Sequence, residues 1–205
     1  SAEDALRRSF LTTGLSDTQV TWLAGRTQRR HYAAGAVVFS EGDPGNSLFI
    51  IDQGEVRIWI TSPTDQPLTL DTLYASDPFG GLTLLDGDRR SATATVMRDT
   101  DVIVLYRDDF MQLIHTEQTA LDALLHNLAQ MVRAMNHRLV DAVQLSPAGL
   151  VAKVLLENAE RHGVPSETCG VLIKHPLTYA DIASMTGMYS QEVERVMSVY
   201  QYESV

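Results

Sequence analysis

The period of the apolar residues changes twice along this chain. From Asp17 to Ala24 a short amphipathic stretch carries Val20, Trp22 and Leu23, which predicts a helix. Residues 37–39, 48–51, 56–60, 68–73, 92–96 and 102–106 are then short β-type runs separated by turn residues. In the third run Val56, Ile58 and Ile60 share one face, and Glu55, Arg57 and Trp59 share the other. Gly42-Asp43-Pro44-Gly45-Asn46 and Asp52-Gln53-Gly54 carry turn chemistry, with glycine available where positive φ is needed. Many short strands at near-even spacing imply a sandwich, jelly roll or barrel.

After Asp108 the period is helical. Leu121, Leu125, Leu128, Val132, Met135, Leu139 and Ala142 recur at alternating spacings of four and three, the seam of a helix that pairs with its own copy. The competing reading is a helix packed along its own β domain, and one helix can serve both faces. Ser146-Pro147 is an N-cap followed by proline at the first helical position, so a new domain starts there. Residues 163–167 read as a turn and 171–173 as a short strand. Thr178-Tyr179-Ala180-Asp181 is a capping box with Asp in place of Glu, opening a helix that Gly187 ends. A second helix with Val193, Val196 and Met197 follows after a few residues, which is helix-turn-helix spacing. The predicted class is α+β. A β domain over residues 3–108 is followed by a dimerisation helix over 109–145 and a helix-turn-helix domain over 146–205.

Composition narrows the function. A chain of 205 residues with 44% hydrophobic content can fill two cores. Sixteen Lys and Arg against 26 Asp and Glu give a formal charge of −10, which opposes non-specific attraction to nucleic acid or anionic membrane unless basic residues cluster. No apolar run approaches the roughly 20 residues of a membrane span, and the N-terminus lacks the layout of a signal peptide, so a cytoplasmic protein is expected. The single cysteine, Cys169, cannot form an intramolecular disulfide or supply a multi-cysteine metal site, and reads as an inert small hydrophobe. The six histidines (31, 115, 126, 137, 162, 175) show no paired metal spacing. With no nucleophile–base pair and no phosphate-transfer loop, no catalytic residue is assigned and an enzyme is the least favoured class.

The most informative segment runs from Phe79 to Thr93: Phe79-Gly80-Gly81-Leu82-Thr83-Leu84-Leu85-Asp86-Gly87-Asp88-Arg89-Arg90-Ser91-Ala92-Thr93. Consecutive glycines let backbone N–H groups face a cavity, and Arg90 with Ser91 can fork onto phosphate oxygens. A purely structural reading has Arg90 paired with an internal carboxylate and Ser91 capping a turn. This segment resembles the phosphate-binding cassette of the catabolite activator protein and FNR family, in which Phe-Gly-Glu precedes Arg-Ser-Ala at this separation. The resemblance runs from about Gly14 through Val199 and includes Glu41-Gly42-Asp43-Pro44-Gly45, Ser47-Leu48-Phe49-Ile50 and Gly54-Glu55-Val56.

The resemblance implies a jelly roll that binds a cyclic nucleotide. Arg90 and Ser91 hold the phosphate, and the backbone at Gly80 and Leu82 lines the ribose. The family's glutamate, which accepts a hydrogen bond from the ribose 2′-hydroxyl, falls on Gly81. Losing a charged acceptor for a buried hydroxyl costs about 1.5–3 kcal/mol. The pocket is then expected either to take another anion, for instance a cyclic dinucleotide with Arg89 as an added phosphate partner, or to be vestigial. The family reaches the base from both subunits at Met135 and Asn136, and Asn136 can hydrogen-bond a base or stand solvated beside the seam. No haem or iron–sulfur signature of the family is present.

For DNA the resemblance implies contacts at Thr178, Tyr179, Ser190, Gln191 and Arg195. Only Arg195 keeps the family's residue, while Glu192 and Glu194 add negative charge, so specific binding is expected to be weak. The β wing that usually follows the second helix has no counterpart before Val205. The favoured function is a ligand-gated dimeric transcription regulator. The alternative is a nucleotide-binding or protein-interaction dimer without DNA binding.

Overall fold

A computed structural model describes residues 1–9, 12–62, 65, 67–166, 170–173 and 177–203. Its contacts form two units, Ser1–Ser62 with Leu70–Arg133, and Pro63–Thr69 with Ala134–Val205.

In chain order the elements begin with helices α1 (Ala2–Arg8) and α2 (Asp17–Ala24), then strands β1 (Gln28–Tyr32), β2 (Val37–Phe39), β3 (Ser47–Thr61), β4 (Pro67–Leu73) and β5 (Pro78–Phe79). Helix α3 (Leu82–Asp86), strand β6 (Thr93–Tyr106), and helices α4 (Arg107–Thr116), α5 (Gln118–Gln144) and α6 (Pro147–His162) follow. Strands β7 (Gly163–Ser166) and β8 (Gly170–Ile173) and helices α7 (Tyr179–Thr186) and α8 (Ser190–Glu203) end the chain. The fold is α+β with an antiparallel jelly-roll sheet in order β1-β6-β3-β4, to which β2 adds on β6 and β5 on β3.

The turn expected at Asp52-Gln53-Gly54 is instead a bulge inside β3, and the two runs expected at 92–96 and 102–106 are one strand, β6. The register of β3 against β6 slips between Ile51 and Val56, yet the pairing resumes on both sides. Gly54 (φ +113°) permits the slip, since a side chain there would overlap buried Thr100, and Thr100 Oγ1 accepts the Glu55 N–H at 3.1 Å. The local turn residues are thus carried by a partner strand that supplies the missing hydrogen bond.

Leu48-Phe49-Ile50-Ile51 and Val102-Ile103-Val104-Leu105 are buried on both faces, which is why they read as continuous apolar runs rather than alternating ones. Leu48, Ile50, Ile103 and Leu105 join α1, α2, α4 and the start of α5 in one core. Phe49, Ile51, Val102 and Val104 face the roll interior with Phe79, Val56 and Val96. Helix α2 starts where its capping box lies, with Ser16 Oγ accepting the Gln19 N–H and the Gln19 side chain returning to the Ser16 N–H.

Helix α5 serves two faces. Ala120, Leu124 and Asn127 are buried, and Leu121 and Leu128 lean on the same core. Leu125, Val132, Met135 and Leu139 are 56%, 56%, 58% and 65% exposed among the described residues. The Ala142 side chain lies outside the described residues.

In the second unit Ser146 Oγ caps α6 through the Gly149 N–H at 3.2 Å, with Pro147 at the first helical position. Thr178 and Asp181 form their capping box, and Gly187 ends α7 in the left-handed region at φ +71°. Val151, Ile182, Ala183 and Val193 make the core of the helix-turn-helix. Over 163–166 the expected turn is instead strand β7, which pairs Val164 with Leu172 and Pro165 with Val171 in a small hairpin, and Glu167 lies outside the described residues. Cys169 and His175 lie outside the described residues. No helix among the described residues is long and apolar enough to cross a membrane.

Candidate anion-binding site in the β domain

The segment after β5 turns at Gly80 (φ +73°) and enters α3 through Gly81, which offers no capping side chain. Helix α3 stops at Gly87 (φ +74°), whose N–H returns to Thr83 O at 3.1 Å, and Asp86 Oδ1 accepts the Asp88 N–H at 2.9 Å. Two glycines and an Asx turn therefore reverse the chain within a few residues and send Arg90 back beneath Gly80.

Arg90 is stitched to the loop between β2 and β3. Its N–H donates to Asp43 O at 2.9 Å, and its carbonyl accepts the Gly42 N–H at 2.8 Å. The residue is only 5% exposed. Nη1 is shared among Ser47 O (2.9 Å), Gly80 O (2.7 Å) and Thr83 Oγ1 (2.8 Å), and Nη2 donates to Ser47 Oγ at 3.3 Å. Nε is buried and has no acceptor among the described residues. The guanidinium lies over the Phe39 ring, with its carbon 4.2 Å from the centroid.

All these acceptors are neutral. Among the described residues no carboxylate stands in ion-pair range of Arg90, so the internal pairing considered from sequence is replaced by carbonyls and hydroxyls. Burial pulls the Arg90 pKa below the ordinary arginine value, and the more distant charge of Asp43 opposes that shift. Arginine stays charged under any physiological condition, so the site is a desolvated cation with one idle donor. Such a group is costly alone and is neutralised by an anion.

The other effector residues divide. Gly81 is half-buried, and a Cβ there would meet only Leu48 Cδ1, at 3.4 Å. Leu82 is 43% exposed beside it. Arg89 is exposed and already engaged, its Nη1 donating to Gly42 O at 2.7 Å. Ser91 is exposed, and among the described residues its hydroxyl caps no turn. Met135 and Asn136 are exposed on α5, at the start of the second unit. Phe39, Ser47, Thr83 and Gly45 complete the surroundings of Arg90. In the sequence Gly45 reads as turn chemistry and as part of the Glu41–Gly45 run, and the structure adds a steric role, because a methyl group there would overlap Arg90 Nε.

On the helix-turn-helix, Thr178 is the N-cap of α7 and Tyr179 its first residue, 36% exposed. Ser190, Gln191, Glu194 and Arg195 are exposed on α8. Glu192 is occupied locally, its Oε2 accepting the Tyr189 N–H at 3.1 Å at the start of the helix.

A jelly roll with a buried cation, followed by a long helix and a helix-turn-helix, defines a ligand-responsive regulator. Residues 29–117 match the cyclic nucleotide-binding domain family. The chain is 28% identical over 200 residues to the CRP-like cAMP-activated global transcriptional regulator of Mycobacterium tuberculosis, covering 98% of this chain and 89% of that one. It is 29% identical over 205 residues to the cyclic AMP receptor protein of Thermus thermophilus, again covering 98% and 89%. The solved structure of the c-di-GMP responsive global regulator CLP of Xanthomonas campestris shares the fold, with a TM-score of 0.77 at 17% identity over 92% of this chain and 93% of that one. The chain thus carries a cyclic nucleotide-binding domain and is a homologue of CRP-like transcriptional regulators.

Proposed function

We propose that this chain is a homodimeric, ligand-gated transcription regulator of the cytoplasm, without enzymatic activity. An anionic cyclic nucleotide binds at Gly80, Gly81, Leu82, Arg89, Arg90 and Ser91, with Met135 and Asn136 reaching its base. DNA is read by Thr178, Tyr179, Ser190, Gln191 and Arg195. Residues 3–108 sense, 109–145 dimerise and 146–205 read. The observation that carries this reading is Arg90, a buried cation with no carboxylate partner among the described residues and an idle Nε. An anion that binds one state of the protein better than the other shifts the equilibrium between them by that difference in affinity. The exposed stripe at Leu125, Val132, Met135 and Leu139, continuous with Leu121 and Leu128, supports dimerisation.

The test is thermal melting of the full chain against cyclic AMP, cyclic GMP, cyclic di-GMP and cyclic di-AMP, because a ligand of the folded state raises the transition with concentration. A concentration-dependent rise with at least one of them is expected. No response to any of the four overturns the effector reading.

A second reading, a nucleotide-binding or protein-interaction dimer that has left DNA, is favoured by one observation. The exposed face of α8 offers Arg195 beside Glu194, with Ser190 and Gln191 uncharged. Such a face lacks the phosphate attraction that dominates affinity for DNA. A gel-shift assay on genomic fragments, with and without the effector found above, separates the two.

A further inference from the structure

Arg90 is held in a slot with one wall from the cassette and the others from outside it. Gly80 forms one wall: a Cβ there would stand 2.5 Å from Arg90 Nη1 and 3.2 Å from Phe39 Cε1. Gly45 closes a second side, its α-carbon lying so near Nε that a methyl group would overlap it. The third side is the face of Phe39, 4.2 Å from the guanidinium carbon, with Phe49 farther away at 5.6 Å. The Phe39 ring is itself fixed, with its centroid 5.8 Å from that of Phe49 and 5.9 Å from that of Phe79, and these two rings stack at 5.0 Å. A planar cation against an aromatic face gains most where water is excluded, and Phe49 and Phe79 are buried here.

We infer that Phe39 is the positioning residue of the anion site, holding the Arg90 guanidinium flat beside the bare α-carbons of Gly45 and Gly80 so that it meets the ligand in one orientation. This rests on the proposed anion site and adds a residue to it. The ring touches Arg90 and fixes its plane, and the arginine carries the charge. A freely rotating guanidinium in the same cavity loses rotamer entropy on each binding event, whereas one stacked on Phe39 has already lost it.

The experiment follows the Nε–Hε signal of Arg90 by NMR in the ligand-free full chain, assigned with Arg90→Lys, and titrates cyclic AMP and cyclic di-GMP calorimetrically. In the parent, the ring current of Phe39 displaces the Arg90 signal and burial slows its exchange with water. Phe39→Leu keeps an apolar side chain but no ring. It abolishes the displacement, speeds exchange and weakens the nucleotide about tenfold, equivalent to about 1.4 kcal/mol. Phe39→Tyr restores both signal and affinity. Should Phe39→Leu melt too low to measure, Phe39→Met carries the same comparison. An unchanged Arg90 signal in the ring-less variant overturns the inference, as does unchanged affinity. Failure of the parent to bind either of these, or cyclic GMP or cyclic di-AMP, overturns the anion site itself, an outcome distinct from binding that is indifferent to residue 39.

Discussion

Gly81 faces Leu48 across open space: a methyl group built on Gly81 meets only Cδ1 of Leu48, at 3.4 Å, an ordinary van der Waals contact. The backbone of Gly81 is helical (φ −73°, ψ −24°), so any L-residue adopts it without strain. Gly81→Glu therefore folds with a melting temperature close to the parent's. If the ribose side of the site is otherwise intact, the restored acceptor improves cyclic AMP affinity by about 10- to 100-fold, the equivalent of a charge-assisted hydrogen bond. Titration of both proteins with cyclic AMP measures this, and an unchanged constant shows that the site serves a different anion.

Removing the cation separates stability from binding. Arg90→Met keeps an apolar stem of similar length while deleting a buried charge that has no carboxylate partner among the described residues. Losing the uncompensated charge offsets part of the cost of leaving Ser47 O, Gly80 O and Thr83 Oγ1 without that donor, so the ligand-free variant melts within a few degrees of the parent. Nucleotide affinity falls at least 100-fold. A large loss of ligand-free stability in calorimetry refutes the view of Arg90 as a residue kept for its ligand.

Dimerisation is best probed where α5 does not also hold its own core. Leu128 leans on the β-domain core, so Leu128→Glu perturbs fold and seam together. Leu139 is 65% exposed and lies on the proposed seam without joining the β-domain core. Leu139→Glu is expected to give monomers in sedimentation at micromolar concentration with unchanged helical content. A Leu139→Glu dimer as tight as the parent's excludes the proposed seam.

The two glutamates of α8 are not equivalent. Glu192 caps the helix start through the Tyr189 N–H, so Glu192→Ala lowers stability by about 1 kcal/mol. Glu194 is exposed, and Ser190→Arg with Glu194→Gln restores charge at little structural cost. That variant gains DNA affinity with a steeper salt dependence. A parent that already binds a palindromic site at nanomolar concentration in physiological salt contradicts the weak reading head expected from these residues.

Asp101 ties β6 to its neighbours by accepting from His31 Nδ1 at 2.8 Å and from Gln53 Nε2. The His31 hydrogen bond, then the Gln53 one, hold its pKa below the usual aspartate value. A carboxyl whose folded pKa is depressed contributes stability above its unfolded pKa and loses it as pH falls through the folded one. Asp101→Asn therefore melts like the parent well below pH 4 and slightly lower than the parent at neutral pH. Parallel melting curves for both proteins across that range count against any contribution from this cluster.

Signals that act within three residues were legible in the chain itself. Ser146 with Pro147 and Thr178 with Asp181 each begin a helix where the sequence places them, because a capping hydrogen bond spans one turn of backbone and needs no distant partner. The cassette was legible as a segment because its glycines and arginines lie within eleven residues, from Gly80 to Arg90. Other features depended on residues far apart in sequence. Gly54 becomes a bulge rather than a turn only because Thr100 accepts the neighbouring N–H, and residues 163–166 become a strand only because 170–173 pair with them. Arg90 turns inward because Ser47, Gly80 and Thr83 converge on it and Phe39 covers it, contacts that the sheet assembles from β2, β3 and the cassette. Periodicity marks α5 as amphipathic. Tertiary packing alone decides that Leu124 is buried while Leu125 remains exposed, since a helix face is apolar whichever surface eventually covers it.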